Sequence, residues 1–564
     1  MPQHRRKIPF SNKKKKDQIL AKRQSRTSSL YLKSYDSADE DETTEEAVGV
    51  QKLNSQPSSR VARNRNVNRY NLQFYEESKK EIELMKAEAN IPLREVQKRD
   101  LEMTFKFFEG YDFPARPPWN YDMSRDELNR NENKYFREYV DNLSKLHKDE
   151  NKRLSLFELN LETWRQLWRV LEISDILLII VDVRYSTLMF PPSLYTYIKE
   201  TLKKRAILIL NKVDLVAPQT ILAWKAYFKE TYPDLPVVIF ASNQTGKKKR
   251  GGNTATFQKR SYEGVLQVFK ECQKMVQSEI DLTSWEAKIL EDMRVEEEAG
   301  GSVEEHQTHI QSDDFNFEQH EAYKNGIVTI GCIGFPNVGK SSFINALKGR
   351  KVVSVSRTPG HTKHFQTIFL TNNVKLCDCP GLVFPSSTPK YLQVLLGSYP
   401  ISQLKQPYPS LKFLGERLNL PKLLKITLPA DYDDWTATAL CEAWAYKKGF
   451  LTAKASRPDL YRAANHLLRM CLGGQLVLEF YPPGYVDKEE DFKNHPDIGD
   501  VIKFQGIIPG ESVTGWEAAG GDEKGNSDDG EFSEDCSSDV SSDDEDSETG
   551  GRYRGNNAFS VLDD

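Results

Sequence analysis

The apolar positions of this chain follow two rhythms, and their alternation predicts the fold. Six segments are built on continuous apolar runs: ILLIIVDV (176–183), RAILILNKVD (205–214), PVVIFAS (236–242), IVTIGCIG (327–334), FQTIFLT (365–371) and VKLCDCPG (374–381). A strand buried on both faces reads this way, so the runs predict a mostly parallel sheet covered on both sides. Between them the spacing becomes helical. In FELNLETWRQLWRVLEI (157–173), Leu161, Trp164, Leu167, Trp168 and Leu171 share one face, predicting a buried amphipathic helix whose tryptophans are core rather than ligand contacts. YEGVLQVFKECQKMV (262–276) predicts a second helix that closes this half of the sheet. The alternation of strand and helix is that of an α/β fold.

Around this domain, set at 156–390, the pattern weakens. Residues 61–155 carry apolar positions (Tyr75, Ile82, Leu84, Met85) among many charges and predict a mostly helical preface. An acidic insert at 285–325, aperiodic and Gly-containing at 291–321, reads as a surface linker. From 391 to 505 the chain turns to helices with Pro-rich joints. Residues 434–472 predict two or three amphipathic helices of a C-terminal module. The ends, 1–60 and 506–564, are too polar to bury a core and are expected to be disordered.

Composition agrees. A chain of 564 residues allows about three units. The net charge of -4 averages a basic start (HRRK at 4–7, KKKK at 13–16) with an acidic end (SSDDEDSE at 541–548). Opposed charge blocks stay solvated and serve as interaction tails. The basic run suits an import receptor, rRNA or another polyanion, a solubilising tail being the plain alternative. Ser533, Ser537, Ser538, Ser541 and Ser542 stand among acidic residues, as kinase sites or as spacer. The seven cysteines form no C-x-x-C pair, and Cys377 and Cys379 are too close for a zinc knuckle, so reduced thiols are expected. No apolar segment is long enough to span a bilayer and none resembles a signal peptide. The expectation is a soluble monomer of the cytoplasm or nucleus without a membrane partner.

Against that background three motifs carry chemistry. GFPNVGKSS (334–342) follows a predicted strand and opens a predicted helix. Gly334 and Gly339 let the backbone wrap an anion, while the amides of Phe335, Pro336-flanked Asn337, Val338, Gly339, Lys340, Ser341 and Ser342 lie where phosphates meet a helix N-terminus. Lys340 reaches the β- and γ-phosphates, and the Ser341 hydroxyl takes a Mg²⁺ position. DCPG, with Asp378, Cys379, Pro380 and Gly381, ends another strand; Asp378 can hold the magnesium and the Gly381 amide can sense the γ-phosphate. Between them SRTPGHTKHF (356–365) supplies a switch threonine, Thr362 in preference to Thr358 because Pro359-Gly360 turns the loop first. NKVD (Asn211, Lys212, Val213, Asp214) follows a third strand. Asp214 can accept from the ring N–H and exocyclic amine of guanine, which adenine does not offer in that arrangement. Asn211 can bond the base edge or brace the phosphate loop, the Lys212 stem can lie over the ring, and Ala241-Ser242 sits where an amide meets the guanine oxygen.

Motif order is the diagnostic feature. Base-reading loops usually follow the phosphate loop; here they precede it, as if the standard order had been cyclically rotated. The cut falls just after DCPG, so the γ-phosphate sensor runs directly into the C-terminal module, which points to that module as the output. Leu382 stands where many hydrolysing switches place a water-orienting glutamine, which predicts slow intrinsic hydrolysis. Asn337 is a candidate ligand for a monovalent cation. His361 and His364 are candidate polar aids, plain exposure being the commoner role of such residues.

The permuted order, GFPNVGKSS with DCPGL, and the hydrophobic residue after DxxG resemble the circularly permuted YlqF/YawG ribosome-assembly GTPases. That resemblance implies GTP and GDP binding with Mg²⁺, potassium-stimulated hydrolysis through Asn337, and work on pre-ribosomal large-subunit particles. It also implies traffic between nucleus or nucleolus and cytoplasm. The expectation is therefore a slow GTPase used as a binding switch. A nucleotide-stabilised scaffold or signalling adaptor with unimportant turnover is the alternative, and an ATPase a third reading.

Overall fold

Five parallel strands and one antiparallel edge strand form the central sheet: β1 (Ile176–Asp182), β2 (Arg205–Asn211), β3 (Val237–Ile239), β4 (Val328–Ile333), β5 (Gln366–Thr371) and β6 (Val374–Asp378), in the order β3-β2-β1-β4-β6-β5. The computed structural model describes residues 79–149, 154–241, 254–277, 279–299, 321–355, 365–452 and 456–505. Every residue of β1 and β4 is buried, as expected of central strands covered on both faces. All six strands fall within the predicted runs. The register pairs Asp182 with Asn211 and Cys332 with Asp378, so the motif-bearing strand ends are level with one another.

The numbered helices are α1 (Lys79–Glu88), α2 (Arg125–Asp149), α3 (Leu161–Ile173), α4 (Pro218–Thr231), α5 (Thr254–Val276), α6 (Thr283–Ala299) and α7 (Lys340–Lys348). Beyond the sheet come α8 (Lys390–Leu395), α9 (Tyr408–Gly415), α10 (Ala437–Lys448), α11 (Leu460–Leu472), α12 (Tyr485–Lys493) and α13 (Ile498–Gln505). The predicted face of α3 is fully realised: Leu161, Trp164, Leu167, Trp168 and Leu171 are all buried. Asn160 caps that helix, its side-chain oxygen accepting from the Glu162 amide (3.0 Å).

Two expectations are corrected. The acidic insert does not begin at 285, because α6 occupies its first residues. Trp285 is 0% exposed and its ring stands edge-on to Phe269 of α5 at 5.4 Å. Leu282, Trp285 and Ile289 form an apolar stripe at i, i+3, i+7 that the acidic composition obscures. The preface carries two helices, α2 and, before it, α1, which buries no residue and leaves Leu84 64% exposed. Its apolar positions are too few and too scattered to make a face.

The C-terminal module also ends earlier than 505. Helices α8 to α11 pack together, whereas α12 and α13 return to the α/β domain. There Trp224 of α4 donates its indole N–H to the Phe480 carbonyl (3.2 Å). The preface bridges both parts through backbone bonds: Leu93 N–H to Trp435 (2.8 Å), Met103 N–H to Tyr481 (2.8 Å) and Ser155 N–H to Ser386 (2.8 Å). All described residues belong to one compact unit. Among them, no helix is long and apolar enough to cross a membrane. The expected disordered ends, the core of the insert, the acidic serines, Ser242, Thr358, Thr362, His361 and His364 lie outside the described residues.

Candidate functional site

The phosphate-loop motif joins β4 to α7, and its glycines are demanded by space and backbone shape. A Cβ on Gly334 would sit 2.3 Å from the Ile180 carbonyl oxygen, so only glycine lets the loop start across β1. Gly339 has φ +97°, the left-handed region that glycine enters without steric cost. Asn337 also lies there, at φ +59°, and asparagine tolerates it better than most residues. Helix α7 then begins at Lys340 with no side-chain cap, leaving its first-turn amides as an anion site.

Lys340 is 7% exposed and lies over its own loop, its Nζ donating to the carbonyls of Phe335 (2.7 Å) and Gly334 (3.1 Å). Burial pulls its pKa below the usual lysine value. Ser341 Oγ donates to Asp378 Oδ2 (3.1 Å), joining the two residues expected to share a cation. Burial pushes the Asp378 carboxyl up to about 6, against the pull of Lys340 and Ser341. Its other oxygen, Oδ1, is buried with no hydrogen-bond partner. An orphaned buried acceptor next to a hydroxyl fits an oxygen-liking divalent cation. Gly381 closes this side: a Cβ there would lie 2.7 Å from Pro336 Cα and 3.0 Å from Lys340 Nζ. The Leu382 amide donates to the Gly334 carbonyl (3.4 Å), and the Leu382 side chain is buried.

The base-reading loop meets the phosphate loop from the far side of β1. Asn211 braces the phosphate loop, its Nδ2 donating to the Val338 carbonyl (2.7 Å). Lys212 has φ +61°, a conformation costing a non-glycine residue about 1–2 kcal/mol. Its head offsets this through the Asn337 carbonyl (2.6 Å) and the Asp182 carboxylate (2.8 Å). Val213 is buried and its amide donates to Phe240 (3.3 Å). Asp214 stays partly exposed beside the loop, its pKa raised chiefly by desolvation. Ala241 is half-buried just past β3.

Some candidates contribute backbone only. The Phe335 ring is core, 5.5 Å from Phe384 and 6.4 Å from Phe108 between centroids, and Val338, Pro380 and Cys379 are likewise buried. Burial raises the Cys379 thiol far above its ordinary value, consistent with an inert residue. Ser342 is half-buried in the first turn of α7.

Four residues absent from the motifs complete the site. Asp182 ends β1 between the two loops and is held well below the usual carboxylate range: burial alone would raise it, but Arg184 and Lys212 outweigh that effect. Arg184 forks onto it, at 3.0 and 2.8 Å. Gly397 accepts the Asn337 side-chain amide (2.9 Å), and Gln505 donates to the carbonyls of Val213 (2.5 Å) and Val216 (2.8 Å). The available signal for the first two was an Asp-x-Arg at the end of a wholly apolar strand, a costly place for charge.

This arrangement has relatives. Residues 329–398 match the family model described as 50S ribosome-binding GTPase. The chain is 41% identical to guanine nucleotide-binding protein-like 1 of Mus musculus, over 89% of this chain and 90% of that protein, and equally to the Homo sapiens protein. It is 32% identical to GTPase LSG1-2 of Arabidopsis thaliana, over 73% of this chain and 68% of that protein. Among solved structures, GNP-bound YlqF of T. maritima aligns at 20% identity and TM-score 0.32, over 57% of this chain and 97% of that one. Identity of 41% across nine-tenths of both chains, with every described motif on its strand end in permuted order, decides the matter: the chain belongs to the guanine nucleotide-binding protein-like 1 family of circularly permuted GTPases.

Proposed function

We propose that the protein is a slow, Mg²⁺-dependent GTPase that uses GTP and GDP as the two states of a binding switch during large ribosomal subunit assembly. The observation that carries this reading is the convergence of Lys340, Ser341, Asp378 and Gly381 on an uncapped helix N-terminus braced by Asn211 and Lys212. Phosphates lie on the loop amides, and Lys340 exchanges the Gly334 and Phe335 carbonyls for phosphate oxygens. Ser341 and Asp378 would hold magnesium, with Thr362 as a further ligand; the ion supplies neutralisation of phosphate charge. Asp214 accepts the guanine ring N–H and amine. Leu382, buried and apolar, offers no group to orient water, hence slow turnover. Asn337 is the candidate through which potassium would stimulate it.

The basic N-terminus and the C-terminal helices are the proposed contacts with a pre-ribosomal particle or its RNA, and the basic run also suits an import receptor. A monomer shuttling between nucleus or nucleolus and cytoplasm follows from that role. Competition binding tests the core of the proposal. Unlabelled GTP should displace labelled GDP where ATP does not, and Asp214→Asn should shift preference from guanine toward xanthine nucleotides. Equal displacement by ATP would refute the base assignment. Sedimentation of protein locked in each nucleotide state with large subunits tests the rest; identical association in both states would refute the switch.

A further inference from the structure

Asp182 and Arg184 belong to none of the nucleotide motifs, yet sheet order puts them at the centre of the site. Strand β1 runs between β2 and β4, so its end lies between the base-reading loop and the phosphate loop. Both side chains are buried, at 1% and 2% exposure. Asp182 Oδ1 accepts from Arg184 Nε (3.0 Å) and its amide (3.2 Å), while Oδ2 accepts from Arg184 Nη2 and from Lys212 Nζ, each at 2.8 Å.

The remaining donors reach different parts of the chain. Arg184 Nη1 reaches the Cys471 carbonyl at the end of α11 (3.1 Å), and the Phe480 amide donates back to the Arg184 carbonyl (2.9 Å). Lys212 Nζ reaches the Asn337 carbonyl of the phosphate loop (2.6 Å), and the Asn337 side chain returns to Gly397 (2.9 Å). The bonds thus run from the C-terminal helices through two cations and one carboxylate to the phosphate loop, and back. Buried ion clusters are weak contributors to stability compared with apolar packing of equal volume. One placed here acts instead on position: it holds Lys212 in its left-handed conformation against the loop.

We propose that Asp182 and Arg184 are positioning residues, the joint through which the C-terminal helices set Lys212 and the phosphate loop and so control retention of nucleotide. The inference rests on the guanine-nucleotide reading of the site. Linkage makes it reciprocal: a partner that displaces the end of α11 alters nucleotide affinity, and nucleotide alters that partner's affinity by the same factor.

Arg184→Lys keeps a cation beside Asp182 but removes the fork that also reaches Cys471. Asp182→Asn with Arg184→Met removes one charge of each sign, and serves if the first variant does not fold. In nucleotide-free full-length protein, hydrogen exchange at 337–341 and at 472–478 should quicken together by about ten-fold, within the usual range of coupling between sites. Amides of the β1–β2 ladder should keep wild-type rates. Labelled GDP should also dissociate about ten-fold faster. Uniform quickening that includes the strands would make the pair a fold staple and overturn the proposal, as would wild-type exchange at either segment. Failure of wild-type protein to bind guanine nucleotide would sink the reading of the site, while the exchange result would still decide the joint.

Discussion

Gly381→Ala tests whether the DCPG segment and the phosphate loop act as one face. An alanine Cβ would lie 2.7 Å from Pro336 Cα, 2.9 Å from Pro336 N and 3.0 Å from Lys340 Nζ. Carbon atoms pack best at about 3.5–4.0 Å, so the methyl is about 0.8 Å or more too close. The lysine end can move, but the Pro336 atoms are backbone. Their loop is pinned by Asn211 at Val338 (2.7 Å) and by Lys212 at Asn337 (2.6 Å). Overpacking of this kind costs about 1–3 kcal/mol. Relief requires residues 380–382 to back away, which breaks the Leu382–Gly334 bond. On the proposed reading the Gly381 amide meets only the γ-phosphate, so the displacement penalises triphosphate more than diphosphate. Expected is a loss of about 5–150-fold in affinity for a non-hydrolysable GTP analogue, the equivalent of that cost, with a smaller loss for GDP. Titration calorimetry with both nucleotides and a thermal melt of the free protein measure it. Equal losses for the two nucleotides, or wild-type affinities together with a wild-type melt, would refute the reasoning.

The remaining predictions follow from burial. Burial raises Asp378 from its ordinary value of 3.8 to about 6, so between those values the folded state holds a proton that the unfolded state releases. This group's contribution to stability therefore improves as pH falls from about 6 to about 4, and the cost of its charge is fully present above 6. Magnesium needs the ionised form, so Mg²⁺-dependent nucleotide affinity should rise through pH 6 and level off by 7. Calorimetry across that range checks it, and the same slope in Asp378→Asn would contradict it. Trp285→Ala removes a fully buried ring between α6 and α5 and should cost about 3–5 kcal/mol in urea unfolding. An unchanged midpoint would mean that α6 is not part of the core.

Legibility in the sequence followed the range of the interactions. Strands buried on both faces are unbroken apolar runs, and the phosphate loop, DCPG and NKVD each pack their chemistry into a few adjacent residues, so all were readable with their strand ends. Helix α6 was not, because its stripe of Leu282, Trp285 and Ile289 is thinner than the acidic face around it. The brace from Asn211 to the phosphate loop is visible only as its distance to Val338 in space. Residues that hold the site from afar left the weakest trace: Arg184 meets Cys471 across 287 positions and Gln505 meets Val213 across 292. No local spacing encodes such a pairing.

Those long-range contacts also change what the permutation means. The cut after β6 suggested one route outward, from the DCPG segment straight into the next helices. The structure has three further points of contact. Gly397 holds Asn337 of the phosphate loop, Cys471 holds Arg184 beside Lys212, and Gln505 holds the base-reading loop at Val213 and Val216. Each belongs to a different C-terminal segment and touches a different part of the site. A lever attached at one point can move without disturbing the pocket, but a frame attached at these points cannot shift without loosening the base loop or the phosphate loop. With Leu382 buried and apolar, the step most open to control on the proposed reading is nucleotide retention. A partner gripping the C-terminal helices would then set the lifetime of the bound state from the base side as much as from the phosphate side.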